Sequence, residues 1–179
     1  MKRFSLVPAF AALVVAPSAR ASLTPAMDLA ELTETADQIV VAEVGKVECQ
    51  WDKDHHTIFS TVDMQVHETW KGTPPADGKI ALRQPGGAVG EIEMTVVGMP
   101  SFTVGERALL FLHKARIVGM GQGKRHLRWE ATGKRWLAAP ADNSTAVHVD
   151  RRGQIMGVAP SAPESLDDLR SQVRALLEK

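Results

Sequence analysis

The sequence predicts an all-β domain with short flanking helices: a β-barrel with extra hairpins and a C-terminal helix, or alternatively a β-sandwich. Three observations lead there. Between Thr57 and Gly72, the apolar residues Ile58, Val62, Met64, Val66 and Trp70 share one parity, while Thr57, Thr61, Asp63, Gln65, His67 and Thr69 take the other. That alternation belongs to a half-buried strand. Most of the chain up to residue 158 breaks into short alternating runs divided by Gly- and Pro-rich turns. A clear helical stripe stands at the C-terminal end. A strand as long as 57–72 exceeds the usual ~5–6 residues, and in a small domain it bends to serve two parts of a barrel or sandwich.

With 179 residues and 44% apolar side chains, the chain suits one domain with a real core. Lys2 and Arg3, the apolar run Phe4–Val15 and then Ala19-Arg20-Ala21 follow the grammar of a secretory leader. Residues 1–21 are therefore expected to be a signal peptide, 22–158 the β-barrel domain, and 159–179 a linker and amphipathic helix. The expected protein is exported, periplasmic or extracellular, with no transmembrane anchor once the leader is removed. Its charge is uneven: Ser22–His113 holds 6 basic and 14 acidic residues, whereas Lys114–Arg152 holds 9 basic and 3 acidic. Cys49 is the single cysteine, so no intrachain disulfide can form, and its alternating apolar context reads as a small buried hydrophobe.

Asp28–Thr35 carries Leu29 and Leu32 at helical spacing. In the strand that follows, Val40, Ala42 and Val44 share one parity and Val47, Cys49 and Trp51 the other; one extra residue near Gly45-Lys46 restores a common face, as a β-bulge does. Asp52–His56 links this strand to the long one as a hairpin. After the turn residues 71–78 come a strand at Lys79–Gln84, a break at Pro85-Gly86-Gly87, and a hairpin partner at Glu91–Gly98. Ala108–Leu112 is continuously apolar, the mark of a central strand buried on both faces. Hairpins follow around Thr132-Gly133 and around 150–153. Ser165 is the expected N-cap of a helix whose Leu166, Leu169, Val173, Leu176 and Leu177 form one stripe.

The segments Ala36-Asp37-Gln38-Ile39-Val40-Val41, Trp70-Lys71-Gly72, Pro85-Gly86-Gly87 and Gly105-Glu106-Arg107 resemble a group of uncharacterised exported bacterial proteins. Their order also resembles the netrin-like domain of the tissue inhibitors of metalloproteinases, which implies an OB-like barrel over roughly residues 28–123. Those inhibitors engage the protease metal through an N-terminal cysteine and are held by disulfides. Here the mature start would be Ser22 and the only thiol is Cys49, so the inhibitory residues do not carry over.

No G-x-S-x-G elbow, H-E-x-x-H helix or nucleotide-binding glycine fingerprint is present, and an enzyme is not expected. The main binding candidates are Lys114, Arg116, Lys124, Arg125, Arg128, Lys134 and Arg135, interleaved with Trp129 and Trp136. Such a basic and aromatic surface on an OB-type barrel implies an acidic partner, a protein or a polyanionic glycan rather than nucleic acid in an exported protein. No cofactor is expected. The alternative is a metal-binding or metalloprotease-regulating protein that holds zinc or copper through Asp54, His55 and His56, joined by Asp52 and His67.

Overall fold

The computed structural model describes residues 25–141, 148–149, 155–157 and 162–179. The expected leader at 1–21, the loop 150–154 and most of the linker at 159–161 lie outside the described residues. The chain runs α1 (Leu29–Thr35), β1 (Gln38–Trp51), β2 (Ile58–Lys71), β3 (Lys79–Pro85), β4 (Gly87–Val89), β5 (Ile92–Met94), β6 (Arg107–His113) and β7 (Arg116–Ile117). A 3-10 turn (Met120–Gly123) then leads to β8 (Lys124–Glu130), β9 (Arg135–Pro140), β10 (His148–Val149), β11 (Ile155–Gly157), β12 (Glu164–Ser165) and α2 (Leu166–Leu177). No helix among the described residues is long and apolar enough to cross a membrane.

The main sheet is antiparallel, in the order β12-β9-β8-β6-β1-β2-β3, with β7 added beside β6. Its centre is the ladder from Gln38–Glu43 to Leu112–Arg107. Ile39, Val41, Leu109 and Phe111 enter one core cluster with α1 and α2, and Val40, Ala42, Leu110 and Leu112 enter another with Val62, Met64 and Leu82. Successive residues thus serve opposite cores, which is why Ala108–Leu112 has no polar alternation. The bulge expected near Gly45 is present: Val44 pairs with Met64 but Lys46 pairs with Asp63, so Val44 and Val47 pack on the same core.

The class is all-β with flanking helices, but the sheet does not close into a barrel. It coils until β3 comes alongside β7, and Leu82 and Ile80 join Leu112 and Ile117 in one cluster. Among the described residues no ladder joins these strands. Pro85 lacks the N–H that a further ladder bond needs, and at Gly86 the chain leaves the sheet. Nor does the strand at 79–85 pair with residues 91–98 as the sequence implied. Ile92–Met94 pairs instead with Gly87–Val89 in a separate small hairpin, which leaves Ile92 exposed. A second sheet that would make a sandwich core is replaced by the two helices.

Trp70 departs from the expected face. On β2, Val66 pairs with Ala42, Glu68 with Val41, Thr69 with Val40 and Lys71 with Ile39, so His67 and Trp70 are each extra. These shifts turn Trp70 onto the helix side, away from Val62, Met64 and Val66. There its ring lies 5.5 Å from the Arg170 guanidinium of α2, and its Nε1–H donates to Glu68 Oε2 at 3.0 Å. Next to it, Lys71 Nζ donates to Thr33 O at 2.7 Å, satisfying a carbonyl at the C-terminal end of α1. Gly72 closes the junction: its φ is +84°, and a Cβ there would fall 2.6 Å from Asp37 O.

Both helices follow local sequence rules. Asp28 and Glu31 form a reciprocal capping box on α1, at 2.8 and 2.9 Å. Ser165 does precede α2, but its hydroxyl makes no cap bond; its backbone instead pairs with Leu137 as the last residue of β12. Leu166, Leu169 and Val173 are buried against the sheet, whereas Leu177 is exposed. Leu169→Ala is therefore expected to cost about 2–5 kcal/mol. Leu177→Ala should stay within about 0.5 kcal/mol. Urea unfolding midpoints of the two variants check this.

Candidate ligand-binding surface

The helix-facing side of the sheet continues past the helices as a row of half-exposed side chains. Glu43 shares the parity of Ile39 and Val41, Arg107 that of Leu109 and Phe111, and Trp129 that of Leu127, so all three emerge on that side. Trp129 and Trp136 are cross-strand partners on the β8–β9 hairpin, with ring centroids 5.5 Å apart in an edge-to-face arrangement. Trp136 is tucked against the core, which holds Trp129 in place while 50% of its surface stays exposed. Arg107 reaches across β8 so that its guanidinium lies 5.2 Å from the Trp136 ring.

Ion pairs extend the row across β6, β1 and β2. Arg107 Nε donates to Glu43 Oε2 at 2.7 Å, and His67 Nε2 lies 3.3 Å from the same oxygen. The Arg107 hydrogen bond, then that of His67, holds the Glu43 carboxyl below its ordinary pKa. The hairpin turn adds Lys134, exposed and without an ion pair among the described residues; Arg128, opposite in parity to Trp129, emerges on the other face of the sheet, as do Glu130 and Arg135, paired at 2.8 Å. A rigid indole pair beside cationic groups offers a flat apolar face and donors for an acidic ligand.

The structure does not gather the whole basic set. Lys114 and Arg116 sit past the C-terminal end of β6, and Lys134 and Arg135 past its N-terminal end, because β8 runs antiparallel with Leu127 opposite Arg107. A seven-residue strand separates the two groups by roughly 20 Å. The Lys114 backbone N–H is occupied by Asp37 Oδ2 at 2.8 Å. Arg125 points toward the helix side beside Leu127 and is half-buried, with its Nε unpartnered; burial lowers its guanidinium pKa, against the opposing pull of Glu164.

Lys124 is the clearest correction. It is 4% exposed, forms an ion pair with Glu106, donates to Ser101 O, and places its ammonium 4.1 Å from the Phe102 ring centre. Its charge is spent inside the fold. His126 Nδ1 lies 3.0 Å from the same Glu106 carboxylate, at the rim of a cavity of about 340 Å³ that Ser101 and Thr103 also line. Burial alone would raise the Glu106 pKa, but hydrogen bonds from His126 and Lys124 and the ammonium charge outweigh it and hold it below the usual carboxylate range.

The Asp54, His55 and His56 turn does not form a metal cage. His55 stacks toward Trp51 at 6.0 Å between ring centroids, and the His56 backbone N–H donates to Asp52 Oδ1 at 2.7 Å. His67 lies nine residues further along β2 than Ile58, about 30 Å up an extended strand. Among the described residues no three His, Cys, Asp or Glu side chains converge on one point.

Glu106, Arg107 and Glu43 escaped the sequence reading as site residues, and Trp136 entered it only alongside the basic set, since strand parity alone does not say which strands adjoin. The molecule is thus an open, coiled antiparallel sheet braced by two helices, with an aromatic and cationic row on its uncovered strip. No protein-family model, curated protein or solved structure matches the chain.

Glu106→Gln leaves the buried Lys124 ammonium uncompensated and is expected to cost about 3–5 kcal/mol. Because the folded-state pKa of Glu106 is depressed, its contribution is present above the unfolded-state value of ~4.3 and is lost as pH falls through the folded-state value. Denaturant melts between pH 7 and 3 should show a loss in the wild type that is smaller in Glu106→Gln.

Proposed function

We propose that this protein is an exported, non-enzymatic binding module that engages an acidic ligand of the polyanionic-glycan type through the β8–β9 hairpin. The observation that carries this reading is Trp129, half exposed on a β-strand yet immobilised by Trp136, with the Arg107 guanidinium beside the pair and Lys134 in the adjoining turn. An exposed tryptophan on a rigid backing loses little conformational freedom on binding, and clustered cations steer an acidic polymer to it. The export and polymer assignments rest on the leader-like N-terminus and on the basic second half of the chain. Lys124 and Arg125 play no part, for the reasons of burial given above.

Heparin serves as the probe. Trp129→Ala should weaken its binding by about 2 kcal/mol, roughly thirtyfold, without a change in fold. Lys134→Glu should lower the salt concentration at which the protein leaves a heparin column, and Lys114→Glu, at the other end of β6, should do so less. Equal retention of wild type and both hairpin variants rules the reading out.

A further inference from the structure

We propose that the protein holds a second, independent site: a soft monovalent metal site for Cu(I) formed by the sulfur atoms of Cys49, Met94 and Met99. All three residues line one half-open cavity of about 240 Å³ between β1, β2, the β4–β5 hairpin and the segment 95–102. Register brings the first two together. Met94 is the ladder partner of Gly87, and a Cβ on Gly87 would lie 2.6 Å from Cys49 Sγ. Cys49 and Met94 therefore border the same cavity, one from β1 and the other from β5. Met99 closes the same cavity from the loop that follows, and a thioether on an unbranched chain has the reach to adapt to an ion.

The chemistry of the set selects the ion. One thiol and two thioethers form an all-sulfur donor group, which favours Cu(I) over the hard divalent cations that carboxylates and carbonyls take. Binding converts the Cys49 thiol into a thiolate and releases its proton to solvent; the S–H bond breaks, a copper–sulfur bond forms, and no electron is transferred. The thiolate's single charge cancels that of Cu(I), so the site gains no net charge in a partly apolar cavity. Cys49 Sγ is already positioned, 3.4 Å from the Ser60 hydroxyl, which itself donates to Gly86 O at 2.6 Å. Gly86 and Gly87 have φ of +108° and +127°, and a side chain at 87 would fill the space over the thiol. The Asp54, His55 and His56 turn contributes nothing to this site.

Anaerobic titration of Cu(I) into the reduced, purified protein, in competition with bicinchoninate, tests the proposal. One equivalent should bind, with a thiolate-to-copper absorption band in the ultraviolet. Cys49→Ser should abolish the band. Met94→Leu and Met99→Leu, which conserve volume, should each weaken binding roughly tenfold or more, and Met27→Leu, outside the cavity, should not. Failure of the wild type to compete overturns the site, as does wild-type affinity in both Met94→Leu and Met99→Leu, which would leave only a bare thiol. Heparin binding is unaffected by either result, so the two readings fall separately.

Discussion

The fold depends on burying both faces of one ladder, the first half of β1 against β6. Ile39, Val41, Leu109 and Phe111 are wholly or almost wholly removed from water on the helix side, and Val40, Ala42, Leu110 and Leu112 on the other. Two cores that share one pair of strands cannot tolerate a slip of register, since a one-residue shift would exchange every side chain between them. The helices and the coil of the sheet both answer this demand. α1 and α2 cover one face, and the curl that brings β3 toward β7 covers the other.

A strand that serves two cores over fourteen residues must change partners on the way, and the bulges do that. At Gly45 the extra residue lets Val44 and Val47 pack on one core while β1 bends. The paired irregularities at His67 and Trp70 do the reverse on β2, sending a tryptophan from the inner face to the helices. Consequently the far end of β2 becomes a docking point: Trp70 for α2, Lys71 for the end of α1, Gly72 for the backbone of Asp37. The Gly105-Glu106-Arg107 turn performs the matching task at the start of β6, with Gly105 bonded to the Val44 backbone and Glu106 neutralising Lys124. The short motifs Trp70-Lys71-Gly72 and Gly105-Glu106-Arg107 are therefore junctions of this framework, and they bear on fold rather than on ligand.

What remains for function is what the framework leaves uncovered. Arg107 lies at the boundary: its backbone belongs to the central ladder, and its guanidinium links the tryptophan hairpin to Glu43 and His67. Ion pairs neutralise this row toward its β2 end, and the exposed Lys134 adds a cation at the hairpin turn. The sulfur-lined cavity lies on the other side of β1, past the Gly45 bulge, where Cys49 and Ser60 face the small β4–β5 hairpin.

Local periodicity by itself determined the two long strands, the bulge at Gly45, the doubly buried run Ala108–Leu112 and both helices, because each depends on spacing along a single segment, whereas the short hairpin at 87–94 did not show in it. It also exposed the basic second half, though not what those charges do. Only the tertiary structure decided that Lys124 neutralises Glu106 inside the fold, that Trp70 faces the helices, that the sheet stays open at Pro85, and that Trp129 is backed by Trp136 and Arg107. These outcomes are settled by which strands adjoin and in what register, and a residue's charge or parity in one strand carries no information about the partner opposite it.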